Sequence, residues 1–337
     1  LDEPLYVQLL RRAQVEVAHL PHVADVQKVD VAAHQSAIAK LRVPVQTTVV
    51  QQPQLTLSNV DFSYDQRQPL FQNLNLTINR GEIVGIVGKN GSGKTTLSHL
   101  LTGFLMPDAG DIRLDGQSVL GQSIKTRAEQ VGYVLQNPNH MITKSTVFDE
   151  VASGLVLRQV EPAEIEQKVR SVLRLLDLDG MRNWPIGALS FGQKKRVTIA
   201  AVLVLSPQIL ILDEPTAGQD ATHTQELLTF LTAINRQEHV TIVMITHDMH
   251  LLANFVQRAL VVVDGQLLAD TTPAELLADE ALVQAASLRT TSIYQLANRL
   301  QIAHPEELNA AVLQHTASVL GEDNKDLSKP AHESNDE

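Results

Sequence analysis

The stretch Ile83–Thr96 reads Ile-Val-Gly-Ile-Val-Gly-Lys-Asn-Gly-Ser-Gly-Lys-Thr-Thr. Its first part, Ile83–Val87, is a short apolar run of the kind that forms a buried strand. A glycine-rich loop follows at Gly88–Thr95, and leucines then recur on one helical face until Gly103 ends the helix. The stretch therefore predicts a strand, a glycine-rich loop and a helix in direct succession.

The loop has the residue types that hold a phosphate group. Glycines let backbone N–H groups turn inward around an anion, and the helix N-terminus adds unpaired donors and partial positive charge. Lys94 would reach the β- and γ-phosphates, and the Thr95 hydroxyl would bind Mg²⁺. The alternative is a chance glycine-rich turn, which the strand before it and the helix after it disfavour. We therefore predict a P-loop whose nucleotide-binding residues are Gly88, Lys89, Asn90, Gly91, Ser92, Gly93, Lys94, Thr95 and Thr96.

Composition narrows the class of protein. The 337 residues are enough for one large domain with extensions, and the absence of cysteine excludes a disulfide framework and a thiolate metal site. The net charge of −11 argues against a nucleic-acid partner. The apolar runs are too short to span a bilayer, and no signal peptide is visible at the N-terminus.

Hydrophobic patterning elsewhere predicts strands that alternate with helices. Apolar residues mark strands in 55–64, 74–78, 111–114, 131–135, 209–212 and 240–245, and a hairpin in 260–268. Helical spacing marks a segment that begins at Pro162, the residues after Gln193, and Thr222–Asn235. Polar residues directly follow several strands. The pattern predicts an α/β fold with its functional site along one edge of the sheet.

Changes in pattern divide the chain into segments. Residues 1–45 are polar and weakly periodic, and we expect a linker or the tail of a preceding module there. Residues 53–285 form the expected main domain, with a separate helical lobe at about 137–185. Residues 286–320 predict a C-terminal helical extension, and 321–337 predict a disordered acidic tail.

Two carboxylates follow the apolar strand at 209–212. Asp213 would hold Mg²⁺ through water, and Glu214 would accept a proton from the attacking water as the catalytic base. Taken alone, an Asp-Glu pair after a strand is also compatible with ordinary surface charge. Its place downstream of a phosphate-binding loop favours the catalytic interpretation.

Three further side chains are candidates for the same site. Gln136 would contact Mg²⁺ and the attacking water, and His247 would bind the γ-phosphate and orient the water. Tyr64 would stack on the adenine ring. Each has a plain structural alternative: a polar strand end, a histidine satisfied at a turn, and a core or edge aromatic residue, respectively.

The stretch Leu189-Ser190-Phe191-Gly192-Gln193 opens a helix. Ser190 is a good N-cap, and Ser190 and Gly192 would present donors to a phosphate. The residues alone do not say whose phosphate this is. A plain capped helix is the alternative.

In order and spacing, these motifs resemble the nucleotide-binding domain of ABC ATPases across about 55–285. The resemblance identifies Tyr64 as the A-loop, Gly88–Thr95 as Walker A, Gln136 as the Q-loop, 189–193 as the signature, 209–214 as Walker B, 216–220 as the D-loop and His247 as the switch histidine. It implies a P-loop NTPase core with an antiparallel β subdomain, an inserted helical lobe and a C-terminal helical extension. It also implies ATP and Mg²⁺, with Thr95, Gln136 and Asp213 at the metal.

The resemblance further implies a head-to-tail pair of ATPase domains. Ser190, Gly192 and Gln193 would then serve the nucleotide of the other domain, and Asp220 would act at the dimer contact. The second domain would be a copy of this chain, a paralogue or a fused N-terminal half. Integral membrane transporter subunits are the other expected partners, with no nucleic acid, at the cytoplasmic face of the cell membrane.

Details of the motifs resemble one subfamily. Phe191 stands where the common signature has glycine, Gln219 stands where the D-loop usually has leucine, and 136–139 read Gln-Asn-Pro-Asn. Together they resemble the ATPases of energy-coupling factor (ECF) vitamin importers, and the tandem proteins assigned to hydroxymethylpyrimidine/thiamine import among them. The start of the chain resembles the stretch that follows the first ATPase domain in such proteins. We therefore expect this chain to be the second half of a protein with two ATPase domains.

Other functions remain as alternatives. One is a soluble ABC ATPase that acts on ribosomes or DNA, which would need basic linkers or long coiled-coil inserts. A second is the ATPase of a cobalt or nickel importer. A third is a pseudo-ATPase that scaffolds a partner, although Lys94, Asp213, Glu214 and His247 are all present.

Overall fold

A computed structural model describes residues 52–65, 68–219, 221–289 and 294–295. Of the two units into which the chain divides, the larger contains 49–276 and 281–288, and the site described below lies in it. The expected segments 1–45 and 321–337 lie outside the described residues, as does most of 286–320.

The strands form two sheets. They are β1 (Pro53–Ser63), β2 (Pro69–Asn79), β3 (Ile83–Val87), β4 (Ala109–Leu114), β5 (Gln117–Ser118), β6 (Val131–Val134), β7 (Ile209–Asp213), β8 (Thr241–Ile245), β9 (Arg258–Val263) and β10 (Gln266–Thr271). The larger sheet has the order β10-β9-β3-β8-β7-β6, and all its neighbours pair in parallel except the antiparallel β9–β10 hairpin.

Burial explains why the central strands read as continuous apolar runs. Every residue of β3 and β8 is buried, as expected for parallel strands that are covered on both faces. Because these strands are parallel, their carboxyl ends meet at one edge of the sheet. Gln136 follows β6, Glu214 follows β7 and His247 follows β8, which brings the polar strand ends predicted from the sequence to that edge.

The smaller sheet is antiparallel, with the order β2-β1-β4-β5. The two short apolar stretches predicted at 55–64 belong to one strand, β1. Its pairing register shifts between Leu57 and Val60, and Asn59 has a φ of 52°. A bulge of this kind displaces the alternation by one residue, which is why the sequence pattern looks interrupted.

Helices flank the sheets, with short 3₁₀ turns between them. The helices are α1 (Lys94–Thr102), α2 (Ile124–Arg127), α3 (Val147–Leu157), α4 (Pro162–Leu175), α5 (Phe191–Leu203), α6 (Ala221–Glu238), α7 (Met249–Phe255), α8 (Pro273–Ala278) and α9 (Glu280–Ala285). The expected start of α4 at Pro162 and the expected end of α1 at Gly103 are confirmed.

Helices α3, α4 and α5 enclose an apolar core of their own. Val151 and Leu155 of α3, Val169 and Leu173 of α4, and Val197 of α5 are all buried in it. Helix α5 opens with the stretch predicted to contact phosphate. One side of α5 therefore packs against α3 and α4. Among the described residues, no helix is both long enough and apolar enough to cross a membrane.

The β9–β10 turn packs against the glycine-rich loop. Gly265 has a φ of 76° and donates its N–H to Ser92 O at 3.2 Å. A Cβ at this position would lie 1.5 Å from Leu70 O.

We expect Gly265→Ala to lower the free energy of unfolding by about 1–3 kcal/mol, because backbone strain and the clash cannot both be relieved. Urea denaturation checks this against Gly121→Ala, where an added Cβ meets nothing within 4 Å. Equal stability of the two variants would contradict it.

Candidate nucleotide-binding site

The residues predicted for the site converge on one cleft at the carboxyl edge of the larger sheet. The cavity has a volume of about 900 Å³, within the range for small-molecule sites. It is lined by Tyr64, Gly88, Lys89, Asn90, Gly91, Gly93, Lys94, Thr95, Thr96, Gln136, Asp213, Glu214 and His247, among others. Residues from five separate sequence motifs thus meet in one place.

The glycine-rich loop is shaped for an anion. Gly88 has a φ of 149°, and a Cβ there would meet Val262 O at 2.0 Å, so a side chain is excluded. Ser92 Oγ is buried and has no hydrogen-bond partner among the described residues. The Lys94 ammonium donates to Gly88 O and to Lys89 O, both at 2.8 Å, which places it inside the loop. These groups fit a phosphate ligand.

Burial and nearby charges act in opposite directions on the pKa of Lys94. Burial lowers the pKa of the Lys94 ammonium, while the nearby carboxylates of Glu214 and Asp213 raise it. The Lys89 ammonium has a different partner, because it pairs with Asp264 at 2.6 Å. Only the backbone N–H of Lys89 is therefore left to serve a phosphate in this arrangement.

The oxygen ligands expected for Mg²⁺ fit that ion. A carboxylate (Asp213), a hydroxyl (Thr95) and a side-chain amide (Gln136) line the same cavity. Mg²⁺ is usually bound by one or two carboxylates together with phosphate oxygens and water. Accordingly, the described residues contain no group of three His, Cys, Asp or Glu that would hold a metal without a phosphate.

Tyr133 is a neighbour of Asp213 that sequence reasoning missed. Its hydroxyl donates to Asp213 Oδ2 at 3.3 Å and accepts from Ser98 Oγ at 3.3 Å. Burial raises the pKa of Tyr133 to about 12, so the phenol stays protonated and remains a donor. Burial also raises the pKa of Asp213, and the Tyr133 hydrogen bond opposes that shift.

The proposed base and the switch histidine contact each other directly. His247 Nδ1 lies 2.6 Å from Glu214 Oε1. The Glu214 side chain is 13% exposed, and that of His247 is 71% exposed. Glu214 has a φ of 44°, and its N–H donates to Ile245 O at 2.9 Å. This left-handed backbone, rare outside glycine, fixes the direction in which the carboxylate leaves the strand.

Tyr64 lies at the cavity with 67% of its surface exposed. Its ring packs edge-to-face on Phe62, with centroids 5.0 Å apart, and its hydroxyl is 2.9 Å from Thr96 Oγ1. The hydroxyl contact fixes the ring relative to the loop, which the sequence did not indicate. The exposed ring is suited to stacking on a base.

The signature stretch does not reach this cavity in the same chain. Of the described residues that line the cavity, none belongs to 189–193. Ser190 caps α5 through a capping box: Gln193 N donates to Ser190 Oγ at 3.2 Å, and Ser190 N donates to Gln193 Oε1 at 2.9 Å. A Cβ on Gly192 would meet nothing within 4 Å, so its backbone is open to a ligand.

The two departures from the common motifs have local partners. The Phe191 ring packs against Gly218, where an added Cβ would lie 3.3 Å from its Cε1. Gln219 turns back on its own loop, because its Nε2 donates to Pro215 O at 3.0 Å. The expected D-loop residue Asp220 lies outside the described residues.

Lys195 is a second residue that sequence reasoning missed. It is 1% exposed, and its ammonium donates to Leu135 O at 2.9 Å and to Gln136 O at 2.8 Å. Burial lowers the pKa of Lys195 to about 8. Its spacing of four residues from the buried Ile199 places it on an inward face of α5, and that spacing was a usable signal.

A parallel sheet with a phosphate loop at its edge, followed by acidic, amide and histidine strand ends, defines a P-loop nucleoside-triphosphate-binding protein. Comparison with known families narrows this class. Residues 71–217 match the family model described as ABC transporter. Residues 1–62 match the model described as ATP-binding cassette cobalt transporter.

Curated relatives carry the name putative ABC transporter ATP-binding protein. One from Lactiplantibacillus plantarum is 47% identical over 317 residues, covering 93% of this chain and 56% of the relative. Another from Enterococcus faecalis is 48% identical over 308 residues, covering 90% of this chain and 54% of the relative. The chain therefore spans about half the length of these relatives.

Two solved structures share the fold of this chain. The chain is 31% identical to cbiO1 from Clostridium perfringens, described as part of the ABC transporter complex cbiONQ, with a TM-score of 0.65 that covers 73% of this chain and 99% of cbiO1. An ATP-binding cassette of an ABC transporter in its ADP conformation shares the fold, at 22% identity and a TM-score of 0.63, covering 69% of this chain and 98% of that one. This chain belongs to the ABC transporter ATP-binding family, and its predicted ABC ATPase fold is confirmed.

Proposed function

We propose that this chain binds ATP with Mg²⁺ and hydrolyses it to drive import through a membrane transporter. The observation that carries the proposal is that Lys94, Asp213, Glu214 and His247 line one cavity. A scaffold without activity would have no need of this combination of a cation, a metal-binding carboxylate, a base and a histidine. The complete set therefore argues against the pseudo-ATPase alternative.

Binding depends on the glycine-rich loop. Backbone N–H groups of Gly88–Thr96 and the Lys94 ammonium would hold the phosphates, and Tyr64 would stack on the base. Thr95, Gln136 and Asp213 would hold Mg²⁺, which neutralises charge on the phosphates when bound. The Lys94 ammonium has three N–H donors and uses two of them on Gly88 O and Lys89 O, so one donor remains for a phosphate.

Hydrolysis requires a water aligned with the γ-phosphate. Glu214 would accept its proton, since this carboxylate is mostly buried and is fixed by its backbone conformation. His247 touches Glu214 in this structure, and we propose that it orients the carboxylate and the water together. Gln136 would contact the same water from the end of β6.

The signature stretch would complete the site of a second domain. Ser190 and Gly192 lie away from the cavity of their own chain, so their donors are available to a nucleotide held elsewhere. The Gln193 side chain is occupied in its own capping box, which makes a direct contact of Gln193 in trans the least supported of the three. The Asp220 contact between domains remains a prediction.

The partners are proposed to be a second ATPase domain and integral membrane subunits, at the cytoplasmic face of the membrane. The chain spans about half of its curated relatives, which supports a fused first half as the second domain. A homodimer and a paralogous pair are the alternatives.

Purifying the full-length protein from detergent-solubilised membranes tests the proposed membrane partners. We expect membrane subunits to co-purify, and isolation without them would count against transport.

The transported substrate has two candidates. The Gln-Asn-Pro-Asn stretch at 136–139 and the Phe191 signature favour an ECF-type importer of a vitamin or precursor, thiamine-like or hydroxymethylpyrimidine-like. The cobalt transporter model that matches residues 1–62 and the likeness to cbiO1 favour a cobalt importer instead. ATP-dependent uptake of labelled thiamine precursor and of Co²⁺ by vesicles that contain the whole complex distinguishes them.

Lys94→Ala tests the nucleotide site itself. The change removes a charge aimed at the phosphates, so we expect ATP affinity to fall by roughly 10-fold or more. Isothermal calorimetry measures it, with Lys125→Ala on the exposed surface of α2 as the matched loss of charge. Unchanged affinity in Lys94→Ala would contradict the P-loop assignment.

A further inference from the structure

A buried lysine joins the signature helix to the edge of the catalytic sheet. Lys195 Nζ donates to Leu135 O and Gln136 O at 2.9 and 2.8 Å, and it lies 3.4 Å from Asp213 O. These oxygens belong to the ends of the neighbouring parallel strands β6 and β7 or directly follow them. One side chain thus connects α5 to two of the residues predicted to hold Mg²⁺.

Packing alone does not account for a lysine in this place. Burying an ammonium group is unfavourable unless its donors are satisfied, whereas methionine would fill a similar volume without that penalty. An ammonium has three N–H donors, and here three backbone oxygens surround it. The carboxylates of Asp213 and Glu214 raise the pKa of the Lys195 ammonium and so oppose the effect of burial.

We propose that Lys195 is a positioning residue that holds the Gln136 and Asp213 backbones in the arrangement that Mg²⁺ binding requires. The inference rests on the proposed ATPase function and gives a role to a residue that is not among those lining the nucleotide cavity. It acts through the strand ends, since its contacts are to backbone oxygens and not to side chains.

The same contacts link the signature motif to the cavity of its own chain. Lys195 lies five residues after Ser190, about one and a half helical turns into α5. Because α5 packs with α3 and α4, a displacement of these helices moves the Lys195 ammonium relative to β6 and β7. The Gln136 backbone would then either move with the Lys195 ammonium or lose the hydrogen bond from it. The position of the signature helix would in this way affect metal binding.

The test compares Lys195→Met and Lys195→Gln in the full-length protein. Mn²⁺ is the probe, and its binding is followed by electron paramagnetic resonance in the presence of a non-hydrolysable ATP analogue. Loss of a residue that supports metal ligands weakens metal affinity or activity by about 10–100-fold, so we expect at least about 10-fold weaker Mn²⁺ binding in Lys195→Met. Its kcat should fall in parallel, while its affinity for the metal-free nucleotide should stay within about 3-fold of wild type, because Lys94 and the loop are intact.

Lys195→Gln should be intermediate, because an amide keeps two donors without the charge. Lys168→Met, on the exposed side of α4, is the matched control and should behave as wild type. Thermal melting separates an effect on the metal from a loss of folding. A purely structural lysine would lower the melting temperature and leave Mn²⁺ affinity unchanged in the folded variant.

The outcomes separate this inference from the proposed function. If the wild-type protein does not hydrolyse ATP, the proposed function fails. If the wild type hydrolyses ATP and Lys195→Met binds Mn²⁺ with wild-type affinity, the role of Lys195 is overturned while the function stands. If Lys195→Met does not fold, wild-type Mn²⁺ affinity in Lys195→Gln overturns the role in the same way.

Discussion

Replacing Glu214 with glutamine is expected to slow ATP hydrolysis by roughly 10²–10⁴-fold, because the attacking water loses its proton acceptor. The amide has nearly the same shape as the carboxylate and can still hydrogen-bond His247, whose Nδ1 lies 2.6 Å from Glu214 Oε1. ATP binding should therefore be unchanged. Steady-state ATPase assays give the rate, and calorimetry gives the affinity of the same preparation.

A matched control separates the chemistry from a general loss of charge. Glu166→Gln makes the same substitution on the exposed surface of α4 and should leave the rate unaltered. Near wild-type turnover in Glu214→Gln would remove Glu214 from the catalytic role and leave the base to be found elsewhere. A loss of ATP affinity in Glu214→Gln would indicate instead that the carboxylate supports the nucleotide site.

Ser190→Arg is expected to have the second largest effect, with turnover falling by about 10²–10³-fold, as for other losses of donors that stabilise developing charge. Binding of ATP to the P-loop of the same chain should persist, since Ser190 does not line that cavity. The arginine would fill the space that a second domain's γ-phosphate needs. Comparing rate with affinity in one variant thus tests whether the signature acts in trans.

Loss of the helix cap is a side effect that needs its own control. Ser190 accepts from Gln193 N, and removing such a cap lowers stability by about 1 kcal/mol. Thr146 caps α3 through Asp149 N in the same way. Thr146→Ala should therefore lower the stability by a similar amount without suppressing turnover. Loss of ATP binding in Ser190→Arg, or equal loss of turnover in Thr146→Ala, would contradict the role in trans.

Much of the fold is predictable because its signals are local. Ile83–Val87 and the helix that ends at Gly103 are set by a continuous apolar run, a glycine-rich loop and a terminating glycine, all within a few residues. The parallel order of the strands follows from strands that alternate with helices. The bulge in β1 is different, because the displaced alternation after Leu57 has two explanations, a turn or a bulge, that only pairing with β2 and β4 decides.

Site residues that belong to a local sequence motif were predictable. Residues that reach the site only through the packing of distant elements were less so. Lys94, Asp213, Glu214 and His247 stand at loop or strand ends that the pattern marks, and all of them line the cavity. Lys195 was not found, because in sequence it is one basic residue among three, Lys-Lys-Arg at 194–196. Its role depends on carbonyl groups about 60 residues earlier, brought near by the packing of α5 on β6.

Two domains are proposed to build each active site, and this is the central claim. The P-loop of one chain would lack the donors of Ser190 and Gly192 unless another domain provides them. Association follows mass action, so the population of complete sites grows with concentration. An isolated copy should therefore bind ATP with Mg²⁺ and hydrolyse it slowly.

The most direct measurement is the ATPase rate per molecule as a function of protein concentration, with the oligomeric state recorded at each point. We expect the rate per molecule to rise with concentration, or on addition of a partner ATPase domain, in step with the population of paired domains. A fast rate that does not change with concentration, from a protein shown to be monomeric, would contradict both the paired mechanism and the role of the 189–193 stretch.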